Sequence, residues 1–253
     1  MDASALAATL AGLCNPEHIK AAEAQIKKFT KRETCIPALF QYCALGSTVS
    51  VETRFQAALL LKKNIGKFLP KFDTATQGQL KAQMLLLMTN ETEKTISTAL
   101  AGAVAKLAKG VMNMSGQVGQ WPELFDMLLR LGADPRESVR ALDYSLLSQL
   151  AEHVSDKLLP HMQTIAQMLT IGCSDASSLV KKEAMLATST FLTFMSDRDE
   201  INHIAAVLSP MIDVMSASLA QGDEESISEG LEVIQECAAL DKTLINDHLD
   251  VSF

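Results

Sequence analysis

Five histidines and five cysteines are the residues of this chain best suited to catalysis or metal binding. His153 and His161 lie eight residues apart on either side of Pro160, and no HExxH motif or Cys/His cluster accompanies them. The sequence also contains neither a glycine-rich phosphate loop nor a GxSxG motif. We therefore predict that the chain is not an enzyme and that it has no catalytic residues, no metal site and no cofactor.

The cysteines are odd in number, scattered along the chain and never arranged as CxxC. This pattern indicates buried free thiols in a reducing compartment rather than a disulfide framework. Acidic residues cluster at Glu224, Glu225, Glu229 and Glu232. We interpret them as the charged start of a helix, where they favour the helix dipole, rather than as a calcium site.

Lysines at helical spacing are the other residues that could carry a function. Lys20, Lys27 and Lys31 follow the spacing i, i+7, i+11, which places them on one helix face. Gln56, Lys63 and Lys67 repeat this spacing in a second segment. Two such faces could meet an acidic or polar protein surface. The alternative, which the spacing leaves open, is an ordinary solvated face that keeps the protein soluble.

Charge is distributed unevenly along the chain. Residues 1–72 hold ten Lys/Arg against five Asp/Glu, whereas residues 197–253 hold two against thirteen. A basic head and an acidic tail argue against nucleic acid bound along the whole length, and we predict no direct nucleic-acid partner. The acidic part either faces basic protein partners or is simply solvated surface. No apolar run approaches the roughly 18 residues of a membrane span, so we predict no membrane association.

The segment 51–72 indicates which elements position these lysines. Its apolar residues cover a wide arc of one helix, which we predict to end at Pro70 because proline lacks a backbone donor. A helix that is apolar over so much of its girth needs neighbours on two or three sides. A stack of helix pairs provides them.

Helix-start signals followed by apolar-periodic segments recur every 34 to 47 residues or so, the range of two-helix HEAT-type repeats. The second helices of the pairs are predicted to begin after Asn15, Ser50, Asn90, Asp134, Ser174 and Gly222. The first helices are predicted at Ala3–Leu13, Glu33–Leu45, Asp73–Met88, Pro122–Leu131, Lys157–Ile171 and Ile201–Leu219. The expected fold is all-α, a right-handed α-solenoid of about six helix pairs, with a globular helical bundle as the rival. Because residues 244–253 begin a further helix without a polar capping repeat, we expect the chain to be the N-terminal piece of something longer.

Three motifs in order resemble the N-terminal domain of importin-β-type karyopherins. They are AEAQIKKF at 22–29, TRFQAALLLKKNI at 53–65, and WPEL at 121–124, which resembles the opening of the fourth repeat in that family. The likeness covers nearly the whole chain and is greatest to the branch that imports histones and ribosomal proteins, the importin-four type. The large tryptophan that the family places after the second helix is absent, and Phe68 and Phe72 lie in its vicinity.

The resemblance implies a nuclear transport receptor found in cytoplasm, nucleus and nuclear pore. Such receptors bind Ran-GTP on the inner face of their first repeats, carry basic protein cargo such as histones or ribosomal proteins, and touch Phe-Gly repeats of nucleoporins with outer helices. It implies a single solenoid over 1–253, in which 20–72 resembles the Ran-contacting region and 73–253 forms further pairs. The alternative is a generic helical-repeat scaffold without Ran binding.

The resemblance also implies two sets of binding residues. Those implied to contact Ran are Lys20, Lys27, Arg54, Lys63, Asn64 and Lys67. Arg54 lies nearer the apolar arc, so a structural role that braces the next repeat is an alternative for it. Those implied to form a Phe-Gly slot between first helices are Ile165, Met168, Leu169, Leu208, Ile212 and Met215. An apolar stripe at this spacing is also typical of a core, and Trp121 is expected to pack rather than to bind.

Overall fold

The computed structural model describes residues 3–114, 121–194 and 198–222, with isolated positions between 228 and 239. These residues form helices and their connections, and no strand occurs among them. The chain divides into two compact units, Met1–Trp121 and Pro122–Phe253.

The first unit contains three helix pairs. The helices are α1 (Ala3–Gly12), α2 (Ile19–Phe29), α3 (Cys35–Ala44), α4 (Val51–Phe68), α5 (Thr74–Asn90) and α6 (Lys94–Met112). Each odd-numbered helix packs against the helix that follows it, and α4 also packs extensively against α6. Helix α6 carries an alanine-rich sequence that is buried on nearly every side, so it forms the centre of this unit. Its small side chains allow the close approach: a Cβ on Gly66 of α4 would lie 2.9 Å from the Lys106 carbonyl oxygen.

Helix α4 has the apolar arc that its sequence predicts. Ala57, Ala58, Leu61, Ile65 and Phe68 are all 0% exposed. The helix begins where Ser50 accepts a hydrogen bond from the Thr53 amide. It ends at Phe68, and a single turn of 3-10 helix carries Pro70. The end predicted at Pro70 is therefore two residues too late, because the proline lies in the tighter turn that follows the α-helix.

The second unit is built in the same way. Its helices are α7 (Pro122–Gly132), α8 (Glu137–Leu158), α9 (Met162–Cys173), α10 (Ser178–Phe194) and α11 (Arg198–Gln221). The main packing partners are α8 with α10 and α9 with α11, while α7 packs on α8 and α9 on α10. At the α8–α9 contact, Gly172 leaves room for the Tyr144 ring, and the Tyr144 hydroxyl donates to the Met168 carbonyl over 2.8 Å.

Several predicted boundaries differ from those of the structure; the helix expected after Asn15, for example, begins at Ile19. Asn90 was expected to precede the α6 helix, but it is the last residue of α5, and α6 begins at Lys94 after Glu93. Lys157 was expected to start a first helix. The helical residues from Glu137 to Leu158 are broken by a kink at Val154 (φ −144°, ψ 28°), so Lys157 lies in a short helical stretch after this break, and α9 begins at Met162. The start expected after Gly222 lies outside the described residues.

Candidate interaction surfaces

Four of the six residues implied to contact Ran lie on the surface. Lys20 and Lys27 are exposed on α2, and Lys63 and Lys67 are exposed on α4. Helix α2 packs mainly against α1, whereas α4 packs mainly against α3 and α6. The two lysine rows therefore lie on helices with different principal neighbours.

The end of α4 gathers positive charge around one aromatic ring. The Lys67 ammonium lies 4.9 Å from the centre of the Phe68 ring, and that of Lys71 lies 5.1 Å from it. The ring itself is buried, and both ammonium groups lie over it at cation–π distance. Both lysine side chains are exposed.

The other two residues of that set are buried, which removes their side chains from any contact surface. Arg54 is 7% exposed and forms an ion pair with Glu91, which is itself buried. Asn64 is 7% exposed and donates to the Leu60 carbonyl over 2.7 Å. For Arg54 the structure favours the alternative, a brace to the next repeat. Sequence reasoning placed Arg54 near the apolar arc but had no means of finding its partner 37 residues away.

The Glu91 carboxylate also accepts hydrogen bonds at the start of α6. Its other carboxylate oxygen accepts hydrogen bonds from the backbone amides of Thr92 (3.0 Å) and Glu93 (2.9 Å). These amides lie just before α6, where free donors need partners. Glu91 therefore holds the start of α6 while it binds Arg54 of α4, and so it ties two successive helix pairs together.

An equivalent arrangement occurs in the second unit. Arg140 of α8 binds both carboxylate oxygens of Asp175, over 2.8 and 2.9 Å, and also donates to the Asp134 carbonyl. Asp175 accepts from the Ser177 amide over 2.8 Å, just before α10 begins. The Arg140 side chain, as hydrogen-bond donor, lowers the pKa of Asp175 from its ordinary value. Arg54 and Arg140 are each the fourth residue of their helices, so the brace recurs at one position of the repeat.

A groove opens on the first unit between the first helices of two successive pairs. It has a volume of about 610 Å³. The lining residues on α3 and α5 are Pro37, Phe40, Gln41, Ala44, Thr76, Gln79, Leu80, Gln83, Leu86, Leu87 and Asn90. Leu86 is 62% exposed, whereas Phe40 and Leu80 form the buried floor. The groove thus offers an apolar floor with glutamines along its edges, a combination suited to an apolar side chain flanked by peptide backbone.

The Phe-Gly slot predicted in the second unit is not open. Ile165, Met168, Leu169 and Leu208 are 1%, 8%, 0% and 2% exposed, and Ile212 and Met215 are half-buried. These residues lie on α9 and α11, which pack directly against each other. They form core between two first helices, which is the alternative that their spacing allowed. The groove between α3 and α5 was missed because its residues belong to segments that sequence periodicity treats separately.

The remaining sequence predictions concern the cysteine thiols, Trp121, metal binding and membrane-spanning helices. Burial raises the pKa of the Cys43 and Cys173 thiols to about 12 in each case, and Cys35 is also buried. Cys14 is exposed, so the prediction of buried thiols is wrong for it.

Trp121 is 3% exposed, as expected of a packing residue. Over the described ranges, no three His, Cys, Asp or Glu side chains are grouped so that they could hold a metal ion. Searching the same ranges for a helix long and apolar enough to cross a membrane finds none.

The fold and surfaces define an α-helical repeat protein whose exposed features suit protein partners. Residues 92–251, more than half of the chain, match the family described as IPO5-like, TPR repeats. The chain belongs to this family, within the importin-β superfamily. The predicted superfamily is thereby confirmed.

Individual relatives agree with this assignment. The chain is 20% identical over 168 residues to the probable importin-5 homolog of Dictyostelium discoideum, which covers 66% of this chain and 15% of the relative. It is 27% identical over 134 residues to the probable importin subunit beta-4 of Schizosaccharomyces pombe, which covers 52% of this chain and 12% of the relative. The chain therefore matches only a small part of the length of these relatives.

Solved structures show the same fold. The crystal structure of Kap121p superposes with a TM-score of 0.80 at 17% identity, over 98% of this chain and 23% of Kap121p. Kap121p bound to RanGTP gives 0.79 at 18% identity over 98% and 23% of the two chains. Kap121p bound to Nup53p gives 0.78 at 17% identity over 96% and 23%. The predicted all-α solenoid of helix pairs is confirmed.

Proposed function

We propose that this chain is part of a nuclear transport receptor that moves between cytoplasm and nucleus. The observation that carries the proposal is the family match over 92–251, together with the likeness of the whole described fold to Kap121p. Kap121p has been crystallised with RanGTP and with Nup53p, and we transfer these two kinds of partner to the present chain as proposals. Basic protein cargo, histones or ribosomal proteins in particular, belongs to the same proposal.

Ran-GTP is proposed to contact the exposed lysines of α2 and α4. Lys20, Lys27, Lys63 and Lys67 are exposed, and their ammonium groups can meet an acidic or polar protein surface. Arg54 and Asn64 are left out of this contact because their side chains are buried and bonded within the fold. Lys71, in the 3-10 turn after α4, shares the Phe68 ring with Lys67 and extends the row of lysines.

A binding measurement with GTP-loaded and GDP-loaded Ran tests this contact. We expect the wild-type chain to bind the GTP form more tightly, and Lys63→Glu/Lys67→Glu to weaken that binding. Arg130→Glu is the matched control, since Arg130 is an exposed basic residue on α7 of the other unit. Equal binding of both nucleotide states, or no binding of either, would reject Ran recognition by this chain and favour a generic helical scaffold.

Phe-Gly segments of nucleoporins are proposed to bind the groove between α3 and α5. A phenylalanine ring needs a shallow apolar slot between neighbouring first helices, and Phe40, Leu80, Leu86 and Leu87 line one. The glutamines at the edges can hydrogen-bond the flexible peptide backbone on either side of the ring.

Titration with a Phe-Gly repeat peptide tests the groove, with a Ser-Gly peptide of equal length as the ligand control. Leu86→Glu places a charge at the exposed edge of the groove without disturbing the core, and we expect it to abolish binding. Ile171→Glu is the control variant, because Ile171 is a 63% exposed apolar residue on α9 of the second unit and does not line the groove. If both variants bind the Phe-Gly peptide like wild type, the groove is not the site.

A further inference from the structure

Asp143 occupies a position that is alanine in two other second helices, α4 and α10. It is the third residue after Arg140 in α8, and the corresponding residue after Arg54 in α4 is Ala57. In α10 the corresponding residue is Ala184. Both alanines are 0% exposed, and so is Asp143. A carboxyl group therefore stands in a layer of the core that the other two helices fill with methyl groups.

The Asp143 carboxyl group has no hydrogen-bond partner among the described residues. Neither Oδ1 nor Oδ2 is bonded, although both are buried. Gly132, at the end of α7, lies directly against it: a Cβ built on this glycine would be 3.1 Å from Oδ2. Buried polar groups are nearly always paired, so an unpaired carboxyl group at the contact of two helices calls for an explanation.

The charged groups around Asp143 do not compensate for it. On its own helix, Arg140 is committed to Asp175 and to the Asp134 carbonyl, and the Tyr144 hydroxyl is committed to the Met168 carbonyl. From α9 the nearest titratable group is the buried Cys173 thiol, which is neutral because burial raises its pKa to about 12.

The other elements packed against α8 offer no partner either. On α7 the ionisable residues Glu123, Asp126 and Arg130 are exposed. On α10 the residues Lys181, Lys182 and Glu183 are half-buried. The 3-10 turn after α8 carries His161, an exposed residue whose ring stacks on Phe125 at 3.9 Å. None of these side chains forms a hydrogen bond or ion pair with the Asp143 carboxylate.

We propose that Asp143 is a proton-linked latch between α7 and α8. In its protonated form the carboxyl group packs against Gly132 as a neutral side chain. When it loses its proton, the charge has no partner in the core, and the end of α7 must separate from α8 so that water can reach the carboxylate. The latch is closed at low pH and opens as the pH rises.

Burial raises the pKa of Asp143 well above the usual range of an aspartate. The unfolded chain loses this proton near pH 3.9, whereas the folded chain retains it to a higher pH. The stability that Asp143 contributes is therefore fully present below the unfolded value and is lost as the pH rises through the folded value. Between the two values, one retained proton lowers the folding equilibrium constant about ten-fold per pH unit.

Hydrogen exchange of the full chain between about pH 5 and 8.5 tests the latch, after correction for the intrinsic pH dependence of exchange. We expect the protection of the α7 amides in the wild type to fall as the pH rises, and to become independent of pH in Asp143→Asn and in Asp143→Leu. Asp126→Asn removes an exposed acid from α7 itself and is expected to behave like wild type.

Constant protection of α7 in the wild type over this pH range would overturn the proposal without reference to any variant. So would a pH dependence that persists in Asp143→Leu, because this variant has no proton to lose at the position. Two replacements are used because leucine restores the apolar character of the layer if asparagine should fold poorly.

Discussion

Arg54 of α4 and Glu91, 37 residues further along the chain, form a buried ion pair that joins the second helix pair to the third. Arg140 and Asp175 repeat this relationship in the second unit, at a separation of 35 residues. In both cases the arginine is the fourth residue of a second helix, and the acid holds free amides just before the next second helix. The repeat is thus joined by one recurrent charged contact as well as by apolar packing.

Loss of one partner of the Arg54–Glu91 pair is expected to be costly. Arg54→Met leaves the Glu91 carboxylate buried without a countercharge, and removing one member of a buried pair typically costs about 3–5 kcal/mol. The double variant Arg54→Met/Glu91→Gln removes both charges, and its amide oxygen can still accept from Thr92 and Glu93. We therefore expect it to recover most of the loss in urea unfolding.

The exposed pair of Arg136 with Asp134 provides the control for this experiment. Arg136 has 63% of its side chain exposed, so Arg136→Ala is expected to leave the unfolding midpoint nearly unchanged. A single variant Arg54→Met as stable as Arg136→Ala would show that the buried pair does not brace the repeats.

Asp175 is expected to make the stability of the folded chain depend on pH, independently of Asp143. Because the Arg140 side chain lowers the pKa of Asp175 in the folded state, this group contributes stability above the unfolded value near 3.9. That contribution is lost as the pH falls through the folded value. We expect wild type to exceed Asp175→Asn in stability by a constant amount from pH 7 to about pH 5, and the difference to shrink below that.

Urea unfolding of both proteins at several pH values between about 3 and 7 measures this difference. Its direction is opposite to that expected for Asp143, whose contribution fades as the pH rises, so the two acids of one unit can be told apart. A difference between wild type and Asp175→Asn that grows towards low pH would contradict the assignment.

Gly66, at the α4–α6 contact, is predicted not to accommodate the additional methyl group of an alanine. A Cβ on Gly66 would lie 2.9 Å from the Lys106 carbonyl oxygen, which belongs to the backbone of α6 and cannot move alone. We expect Gly66→Ala to destabilise the protein by about 1–3 kcal/mol through overpacking.

Gly78 of α5 is the matched control for Gly66, because it is also helical and a Cβ there would meet nothing within 4 Å. Gly78→Ala is expected to stabilise the protein by about 0.5–1 kcal/mol, since alanine restricts the unfolded chain and favours the helix. Thermal unfolding of the two variants should therefore shift in opposite directions. Equal shifts would mean that helix propensity, and not the close contact, decides the outcome at Gly66.

The sequence was informative where the determining interactions are local. The apolar arc of α4 follows from the 3.6-residue period, and the start of the helix follows from Ser50, whose partner lies three residues away. Buried residues such as Ala57 and Leu61 were therefore predictable from a window of about 20 residues. The order of helix pairs followed from the recurrence of such windows along the chain.

Features that depend on two distant segments were not predictable in the same way. Arg54 and Lys63 are both charged residues of α4, and only the position of Glu91 makes one a buried brace and leaves the other on the surface. Ile165 and Leu208 looked like slot residues until the direct packing of α9 on α11 placed them in the core. Periodicity identifies an apolar face, but it does not identify the element that covers it.

Ser50 supplies a prediction that tests a local signal by itself. Its hydroxyl accepts from the Thr53 amide over 3.3 Å, and its extended backbone (φ −60°, ψ 150°) begins α4. Ser50→Ala removes the acceptor and is expected to destabilise the protein by about 1 kcal/mol, while Ser50→Asp keeps an acceptor and adds a favourable charge at the helix N-terminus. Urea unfolding should therefore rank the alanine variant below wild type and the aspartate variant close to it. If Ser50→Ala is as stable as wild type, the start of α4 is determined by its packing on α3 and α6 and not by its cap. The serine at this position then contributes nothing measurable to stability.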